Sequence, residues 1–501
     1  MIIKKIRIYF LFFAILFAYL PAVSCSGDQN KNLKNDLKNN DGINPNSDEI
    51  LFSADEYVYP EINGNGSDFR FLNATTNWGF YTDIARSEIT GEVLDDAIYN
   101  RNRFIEEKFN INITENGKDI WEIYNQLQRV VLSGSDEFEA VFCPVFCSSS
   151  IGGLITKGMF YNMRDIPGMN LDGEWWNQTM MEEAAIGAGN KLYYAGCDIN
   201  IMTLESVNCV YFNEKMMADL GLELPYTAVR QGKWTFEMFN MLQKTGADLN
   251  GDDSFQWSAR GNAVYGFTSY EACAIALLAG SLERFIITDK DKNPHPAIDG
   301  ERFINVLEKI QTMLTPGDGG YLWGNDGANG EGGDYISMFM NDRALMTMGE
   351  LNAVVDFRQM ESPFGILPIP KYEESQPKYY SYLIYQTPVL IIPSTNTKPD
   401  FTGAVLDAMA YVSNKNVTPV FFDVSVSQKG LRNEDSIDML NIIKNSGSFD
   451  VGCAYGWTID FYESIRLSIG LGKPFNIASS IEKNKNAIEF KIEETMKLFN
   501  Q

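Results

Sequence analysis

The chain has 501 residues and a formal net charge of −25, from 41 basic and 66 acidic side chains. This acidic balance argues against nucleic acid as a partner, because nucleic-acid binding needs a basic surface. The single histidine, His295, excludes multi-histidine zinc sites and is accompanied by no GxSxG nucleophile signature or GxxxxGK[ST] phosphate loop. Carboxylate chemistry is the only common form of catalysis that this composition leaves open.

The first 24 residues read as a secretion signal. A cationic start with Lys4, Lys5 and Arg7 precedes an apolar run over residues 8–20. A permanent membrane span is the alternative, but a spanning helix needs about 20 apolar residues and this run is shorter. We therefore expect the segment to be removed.

Cys25 follows the signal directly, after the small residues Ala22 and Ser24. The stretch is similar to a bacterial lipobox, in which the cysteine is acylated and becomes the first mature residue; ordinary secretion is the alternative. Acyl chains contribute about 0.8 kcal/mol per buried CH₂ group. The predicted location is therefore the outer face of the cell membrane, anchored by lipid on Cys25, with the polar residues 25–50 as a disordered tether.

The other six cysteines are scattered through apolar surroundings. Buried free thiols are the preferred interpretation, and one or two disulfides or a metal site are the alternatives. Cys143 and Cys147 form a CxxxC spacing that fits neither a zinc ribbon nor a thioredoxin motif. We expect no cofactor and no metal.

From about residue 68 onward, strand-like apolar runs alternate with segments of helical period. Helices are predicted around residues 94–109, 120–131, 303–310, 401–412 and 481–499, and strands around 111–113, 140–142, 344–348, 364–367 and 388–392. This alternation is typical of a layered α/β protein. About 450 ordered residues exceed one core, so two domains are expected, with a chain that crosses between them more than once.

Six stretches together resemble the extracellular solute-binding lipoproteins of ABC sugar importers, the family 1 proteins that include maltodextrin-binding protein. They are "TGEVLDDAIYNRNRFIEEKFNINI" (90–113), "KLYYAGCDINIMTLESVNCVYFNEKMM" (191–217), "PYTAVRQGKWTFEMF" (225–239), "MFMNDRALMTMGEL" (338–351), "FGILPIPKYEESQPKYYSY" (364–382) and "YGWTIDFYESI" (455–465). The usual glycine of the fourth stretch is replaced here by Asn341 or Asp342.

The resemblance implies a two-lobed α/β fold of periplasmic-binding-protein type II, with a ligand cleft between the lobes and hinge crossings near residues 196–210, 368–382 and 416–426. Its boundaries place one lobe in residues 51–200 and 371–418 and the other in residues 201–370 and 419–501. It also implies a monomer that takes up a sugar or other small solute, works with ABC permease subunits and has no enzyme activity.

Mapping the family pattern onto this chain gives a predicted ligand site. Its residues are Trp78, Cys147, Ser148, Glu205, Ser206, Tyr270, Glu350, Tyr455 and Trp457. Aromatic faces and polar groups suit a sugar, which offers an apolar ring face and hydroxyls.

Ordinary structural roles are the alternatives at most of these positions. Glu350 could complement the start of a following helix, Glu205 could be a solvated acid, and Tyr270 could be a packed helix residue. Trp78 and Trp457 could belong to the core. For Cys147 and Ser148 only backbone contact is expected.

The stretch "DLNGDDSF" (248–255) begins like a calcium loop but lacks the glycine and glutamate that an EF-hand needs at its sixth and twelfth positions. A solvated acidic turn is the preferred interpretation and bound calcium is the alternative.

Capture of a carbohydrate, an oligosaccharide in view of the chain length, is the leading functional hypothesis. A surface glycoside hydrolase that uses paired carboxylates is the alternative enzyme, because it needs only two acids roughly 5 to 10 Å apart. A lipid-anchored adhesin or folding factor without a small ligand is the third possibility.

Overall fold

A computed structural model of the protein describes residues 57–75, 80–147, 149–255, 261–323, 335–357, 359–426 and 434–499. These residues all belong to one structural unit, residues 52–501. The predicted Cys25 anchor, the signal and the tether lie outside the described residues, as do Trp78 and Ser148.

Thirteen strands are present in the described residues. In chain order they are β1 (Ser67–Thr75), β2 (Ile111–Asp119), β3 (Ala140–Pro144), β4 (Asn208–Asn213), β5 (Tyr265–Ser269), β6 (Ile286–Thr288), β7 (Pro294–Pro296), β8 (Tyr321–Trp323), β9 (Ala344–Glu350), β10 (Phe364–Leu367), β11 (Ser381–Tyr382), β12 (Pro388–Ile391) and β13 (Gly447–Ser448).

Eighteen α-helices accompany them in the same residues. They are α1 (Val93–Phe109), α2 (Ile123–Leu132), α3 (Gly152–Ile155), α4 (Gln178–Ala184), α5 (Met202–Glu205), α6 (Glu214–Asp219), α7 (Tyr226–Arg230), α8 (Phe236–Thr245), α9 (Cys273–Gly280), α10 (Glu301–Met313), α11 (Tyr335–Met340), α12 (Val354–Phe357), α13 (Pro399–Val412), α14 (Thr418–Val426), α15 (Glu434–Lys444), α16 (Val451–Ala454), α17 (Ile459–Arg466) and α18 (Ile477–Phe499).

Two sheets form the framework. The first has four strands in the order β12-β3-β1-β2, and the second has five in the order β10-β4-β9-β5-β8. The four strands of the first sheet come from segments that the predicted boundaries assign to one lobe, and the five of the second come from the other. The boundaries themselves stay a prediction.

The apolar runs became strands because they are buried on both faces. All five residues of β3 are buried, and β3 lies between β1, to which it is parallel, and β12, to which it is antiparallel. Parallel strands covered on both sides read as continuous apolar runs rather than alternating ones. The predicted helices follow the 3.6-residue period in the same way: α2 buries Ile123, Leu127 and Val130 on one face.

A fully buried arginine ties several segments together. Arg101, on α1, is 0% exposed. Its guanidinium donates to the carbonyl oxygens of Ile84 at 2.6 Å and Ile199 at 2.8 Å, and to the hydroxyl of Ser413 at 3.1 Å. Burial lowers its pKa to about 10. Ser413 is the first residue of a π-helical turn (Ser413–Val417) that joins α13 to α14. This turn overlaps the start of the predicted third crossing, residues 416–426.

Candidate functional site

A cavity of about 660 Å³ opens within the described residues. It draws its lining from the segment after β1, the carboxyl ends of β5 and β9, the segment after β11, and α17. The described lining residues are Phe80, Tyr270, Glu271, Ala272, Tyr335, Ile336, Met340, Glu350, Asn352, Ala353, Asp356, Gln359, Tyr382, Ile384, Tyr385, Gln386, Tyr462 and Arg466. A recess of this size, with apolar and aromatic walls and a few polar groups, is the usual form of a small-molecule site.

The register of the second sheet brings Tyr270, Glu350 and Asn208 together. β5 and β9 are parallel, so their carboxyl ends meet at one edge, and Asn208 at the start of antiparallel β4 lies directly opposite Glu350. The Tyr270 hydroxyl is 2.5 Å from Oε1 of Glu350 and 3.2 Å from Oδ1 of Asn208. Two predicted site residues, 80 positions apart, therefore share one hydrogen bond.

The side chain of Glu350 lines the cavity and does not cap the helical turn that follows it. It precedes a short 3₁₀ turn (Leu351–Ala353), and its side chain makes no capping hydrogen bond there. Burial raises the pKa of Glu350, and the hydrogen bond from Tyr270 opposes that shift only in part. The helix-complementing alternative for Glu350 is not supported by this geometry.

Aromatic rings form the walls of the cavity. Tyr270 and Tyr335 stack with ring centroids 5.7 Å apart. Tyr385 meets Tyr462 edge to face at 5.5 Å, and the hydroxyl groups of Tyr382 and Tyr462 are hydrogen-bonded to each other. Such rings offer flat apolar surfaces whose polar edges still reach hydrogen-bond partners.

Arg466 is the only cationic side chain among the described lining residues. Its guanidinium pairs with Glu271 and, at 2.7 Å, with Glu463. These carboxylates and its hydrogen bonds to Glu463 raise its pKa against the effect of burial. The charge of Arg466 is thus already matched within the protein.

Two further predicted residues, Glu205 and Ser206, lie beside the cavity and do not line it. Glu205 ends α5, is 6% exposed and accepts a hydrogen bond from the Tyr81 amide at 2.5 Å, one residue after the lining residue Phe80. Because it is only 6% exposed, Glu205 is not a solvated acid, and burial raises its pKa to about 7. Ser206 is buried and donates to the Met202 carbonyl oxygen at 2.6 Å.

Tyr455 and Trp457, two further residues of the predicted ligand site, are both buried in this structure, and their contact with a ligand stays a prediction. Trp457 is 2% exposed, stacks on Tyr455 at 4.7 Å, and its indole N–H donates to Thr495 on α18 at 2.9 Å. Neither is among the lining residues of the cavity. The glycine between them, Gly456, has φ +71, so the sequence "YGW" marks a turn that tucks both rings inward.

Cys147 is buried at the end of the segment after β3, and its amide donates to the Ser149 carbonyl oxygen at 3.0 Å. It does not line the cavity in the described residues. All six cysteines of the described residues are buried free thiols.

The sequence analysis missed several lining residues, among them Tyr335, Tyr385, Gln386, Tyr462 and Arg466. Tyr462 lies inside the quoted stretch 455–465, seven residues after Tyr455. The family pattern there directed attention to the turn, whereas the structure uses the helix that follows it.

No cluster of three or more metal-ligating side chains occurs in the part of the chain that the structure describes. In the acidic turn at residues 248–255, Asp248 accepts from the Asn250 amide at 2.8 Å and Asp252 from the Ala263 amide at 2.9 Å. Both carboxylates therefore accept hydrogen bonds from backbone amides of neighbouring loop residues. No helix of the described residues is both long and apolar enough to span a bilayer.

The sequence matches no protein-family model and no curated protein. Solved structures do match. UgpB from Mycobacterium tuberculosis, in complex with glycerophosphocholine, is 13% identical, with a TM-score of 0.55 over 86% of this chain and 98% of that one. A cyclo/maltodextrin-binding protein complexed with maltotetraose is 11% identical, with a TM-score of 0.53 over 87% of this chain and 98% of that one. The apo form of RafE from Streptococcus pneumoniae is 14% identical, with a TM-score of 0.52 over 86% of this chain and 100% of that one. The chain therefore has the two-lobed α/β fold of such binding proteins, which confirms the predicted fold.

Proposed function

We propose that the protein is the substrate-binding component of an ABC importer, which captures an oligosaccharide in the cavity and delivers it to permease subunits. The observation that carries this proposal is the lining of the cavity: six aromatic rings (Phe80, Tyr270, Tyr335, Tyr382, Tyr385 and Tyr462) stand beside the amides of Asn352, Gln359 and Gln386. Rings cover the apolar face of a sugar, and amides bond its hydroxyls.

The affinity needed for uptake is within reach of such a site. A micromolar dissociation constant corresponds to about −8 kcal/mol. Each hydrogen bond contributes only about 0.5 to 1.5 kcal/mol net, so several must act together with ring stacking. Neither a nucleophile nor a cofactor is required, which agrees with a binder that releases its solute unchanged.

The proposal includes the lipid anchor on Cys25 and a position on the outer face of the cell membrane, as a monomer tethered by residues 25–50. It rests there on the sequence pattern of residues 1–25. The cyclo/maltodextrin-binding protein of the same fold was solved in complex with maltotetraose.

One observation favours the glycoside hydrolase as the second candidate. Glu271, Glu350 and Asp356 line the same cavity, and burial raises the pKa of Glu350 in the sense that a general acid needs. A binding protein and a hydrolase would therefore use the same recess and differ in what leaves it.

A thermal-shift screen against mono- and oligosaccharides tests the proposal, because a ligand that binds the native state raises its melting temperature. Each hit is then incubated with the protein and the sugar is analysed by chromatography. The proposal predicts a saturable shift and intact sugar. Shorter sugars would establish the hydrolase instead, and no shift with any sugar would contradict both.

A further inference from the structure

The charge of the cavity is unbalanced. Three carboxylates line it, those of Glu271, Glu350 and Asp356, against the single guanidinium of Arg466 in the described residues. Arg466 forms ion pairs with Glu271 and Glu463, so its positive charge is already compensated within the protein. Arg466, the one cationic side chain of the described lining, pairs with neither Glu350 nor Asp356.

An anionic ligand would need donors that this arrangement lacks. Proteins recognise carboxylates and phosphates with free arginine or lysine side chains, or with helix amino ends. The amino end of α9 does approach the cavity, since its N-cap residue Ala272 is part of the lining. The residue before it, Glu271, also lines the cavity and carries a carboxylate, which pairs with Arg466, so an anion that approached this helix end would approach a negative side chain as well.

Asp356 is an exposed acid without a paired cation among the described residues, so a ligand carboxylate placed near it would meet a like charge, and Glu350 adds no cation that could offset the repulsion. At several ångströms and the effective dielectric of a protein surface, such a repulsion weakens binding roughly tenfold. The same field favours an ammonium group. Salt weakens the effect, since the Debye length falls from about 30 Å at 0.01 M to about 10 Å at 0.1 M.

From this balance we infer that the cavity selects uncharged or amine-bearing oligosaccharides and rejects anionic ones, such as uronic-acid oligomers and sugar phosphates. The inference rests on the proposed carbohydrate function and narrows its ligand class. The fold alone does not decide this, because the similar UgpB structure holds glycerophosphocholine, which carries a phosphodiester.

The test uses matched probes that differ only at C6. Maltotetraose and cellotetraose are each prepared in three forms: the parent alcohol, the C6 carboxylate and the C6 amine. Binding to the purified protein is measured by calorimetry at pH 7, in 20 mM and in 300 mM NaCl. We expect the carboxylate form to bind about tenfold more weakly than its parent at low salt, the amine form at least as tightly, and the spread to shrink at high salt.

Two variants locate the effect. Asp356→Asn removes one cavity charge and should narrow the gap between the parent and the carboxylate form about threefold. Glu308→Gln removes one charge from an exposed position on α10, outside the lining, and should leave the gap unchanged. Equal narrowing in both variants would mean that only the net charge of the protein acts, which would overturn the inference.

The outcomes distinguish a failure of the charge selection from a failure of the proposed carbohydrate function. If a parent sugar binds and its carboxylate form binds equally well or better, the charge selection is wrong and the carbohydrate function stands. If neither parent sugar nor any sugar of the thermal-shift screen binds, the proposed function is wrong and the inference falls with it.

Discussion

The hydrogen-bond partners of the Tyr270 hydroxyl are set by the strands beside it in the sheet. It lies 2.5 Å from the Glu350 carboxylate and 3.2 Å from the Asn208 amide oxygen, and all three residues stand at one edge of the second sheet. The family resemblance pointed to Tyr270 and Glu350 separately. Their hydrogen bond depends on the register of β5 against β9, which residue types alone do not reveal.

Other residues of the site could not be identified from one sequence, for a physical reason. The chain has 24 tyrosines, and only the fold decides which of them face a recess. Trp457 shows how a turn decides exposure: an indole beside glycine suggests an exposed loop platform, but in the structure the turn at Gly456 accompanies a buried indole. Glu205 does not line the cavity and its place in the ligand site stays a prediction, whereas its burial was not expected from the sequence.

Tyr270→Phe should weaken sugar binding about fivefold, because it removes a hydrogen bond worth about 1 kcal/mol and leaves Glu350 less well positioned. Calorimetry on the best sugar from the thermal-shift screen measures the change. Tyr161→Phe is the matched control, since the Tyr161 hydroxyl bonds the Asn396 carbonyl oxygen away from the cavity. Equal losses in both variants would show that the hydroxyl of Tyr270 has no special role.

Glu205 makes the stability of the protein depend on pH in a defined direction. Its pKa is raised from 4.5 to about 7 by burial. Between those values the folded state keeps a proton that the unfolded state has lost, so stability falls as pH rises through this range, by about 3 kcal/mol in all. Asp450, with a pKa raised to about 6, acts in the same sense.

In Glu205→Gln the side chain stays neutral and keeps an oxygen for the Tyr81 amide. We expect its denaturation midpoint in urea to fall less between pH 5 and pH 8 than that of the wild type, with the two proteins similar at pH 5. Parallel pH profiles would contradict the raised pKa.

At the scale of elements, the short apolar runs predicted strands well because strands whose residues are all buried leave a continuous apolar signal, whether they pair parallel or antiparallel. The run at residues 364–367 became β10 (Phe364–Leu367) exactly as predicted, and the helix expected over residues 481–499 begins four residues earlier, at Ile477. The π-helical turn at Ser413–Val417 was not predicted, because it depends on tertiary partners such as Arg101 rather than on local composition.

Gly266 makes β5, the strand that leads to Tyr270, sensitive to a single methyl group. A Cβ built on Gly266 would lie 1.5 Å from the Gln243 carbonyl oxygen, and backbone atoms cannot give way cheaply. Gly266→Ala should therefore destabilise the protein by more than about 3 kcal/mol, as overpacking of a rigid site does. Chemical denaturation measures the loss.

Gly317→Ala is the control for that substitution, because a Cβ there would meet no atom within 4 Å and Gly317 is not at a positive φ. Its stability should differ from wild type by less than about 1 kcal/mol. A Gly266→Ala protein as stable as this control would mean that α8 and β5 are less closely packed than the structure has them.

At the scale of the whole molecule, the sequence predicted the two-lobed α/β fold through the order of its elements and its family resemblance. The cavity could not be predicted in the same way, because it is assembled from segments as far apart as Phe80 and Arg466. The lipid anchor, in contrast, is predicted from the sequence alone, because Cys25 lies outside the described residues.

Cys25→Ser tests the anchor. Without the thiol no acyl chain can be attached, so we expect the protein to move from the membrane fraction to the soluble fraction when it is expressed in a bacterial host. Immunoblotting of the fractions measures this. A wild-type protein that is already soluble would favour ordinary secretion.

The central claim is that the cavity holds an oligosaccharide and returns it unchanged. The most direct measurement is calorimetric titration of the best-binding sugar into wild type and Tyr385→Ala, which removes one wall of the cavity, with chromatography of the sugar recovered afterwards. The account predicts saturable one-to-one binding, intact sugar, and an affinity reduced at least tenfold in the variant. Undiminished binding to Tyr385→Ala, or cleaved sugar, would contradict it.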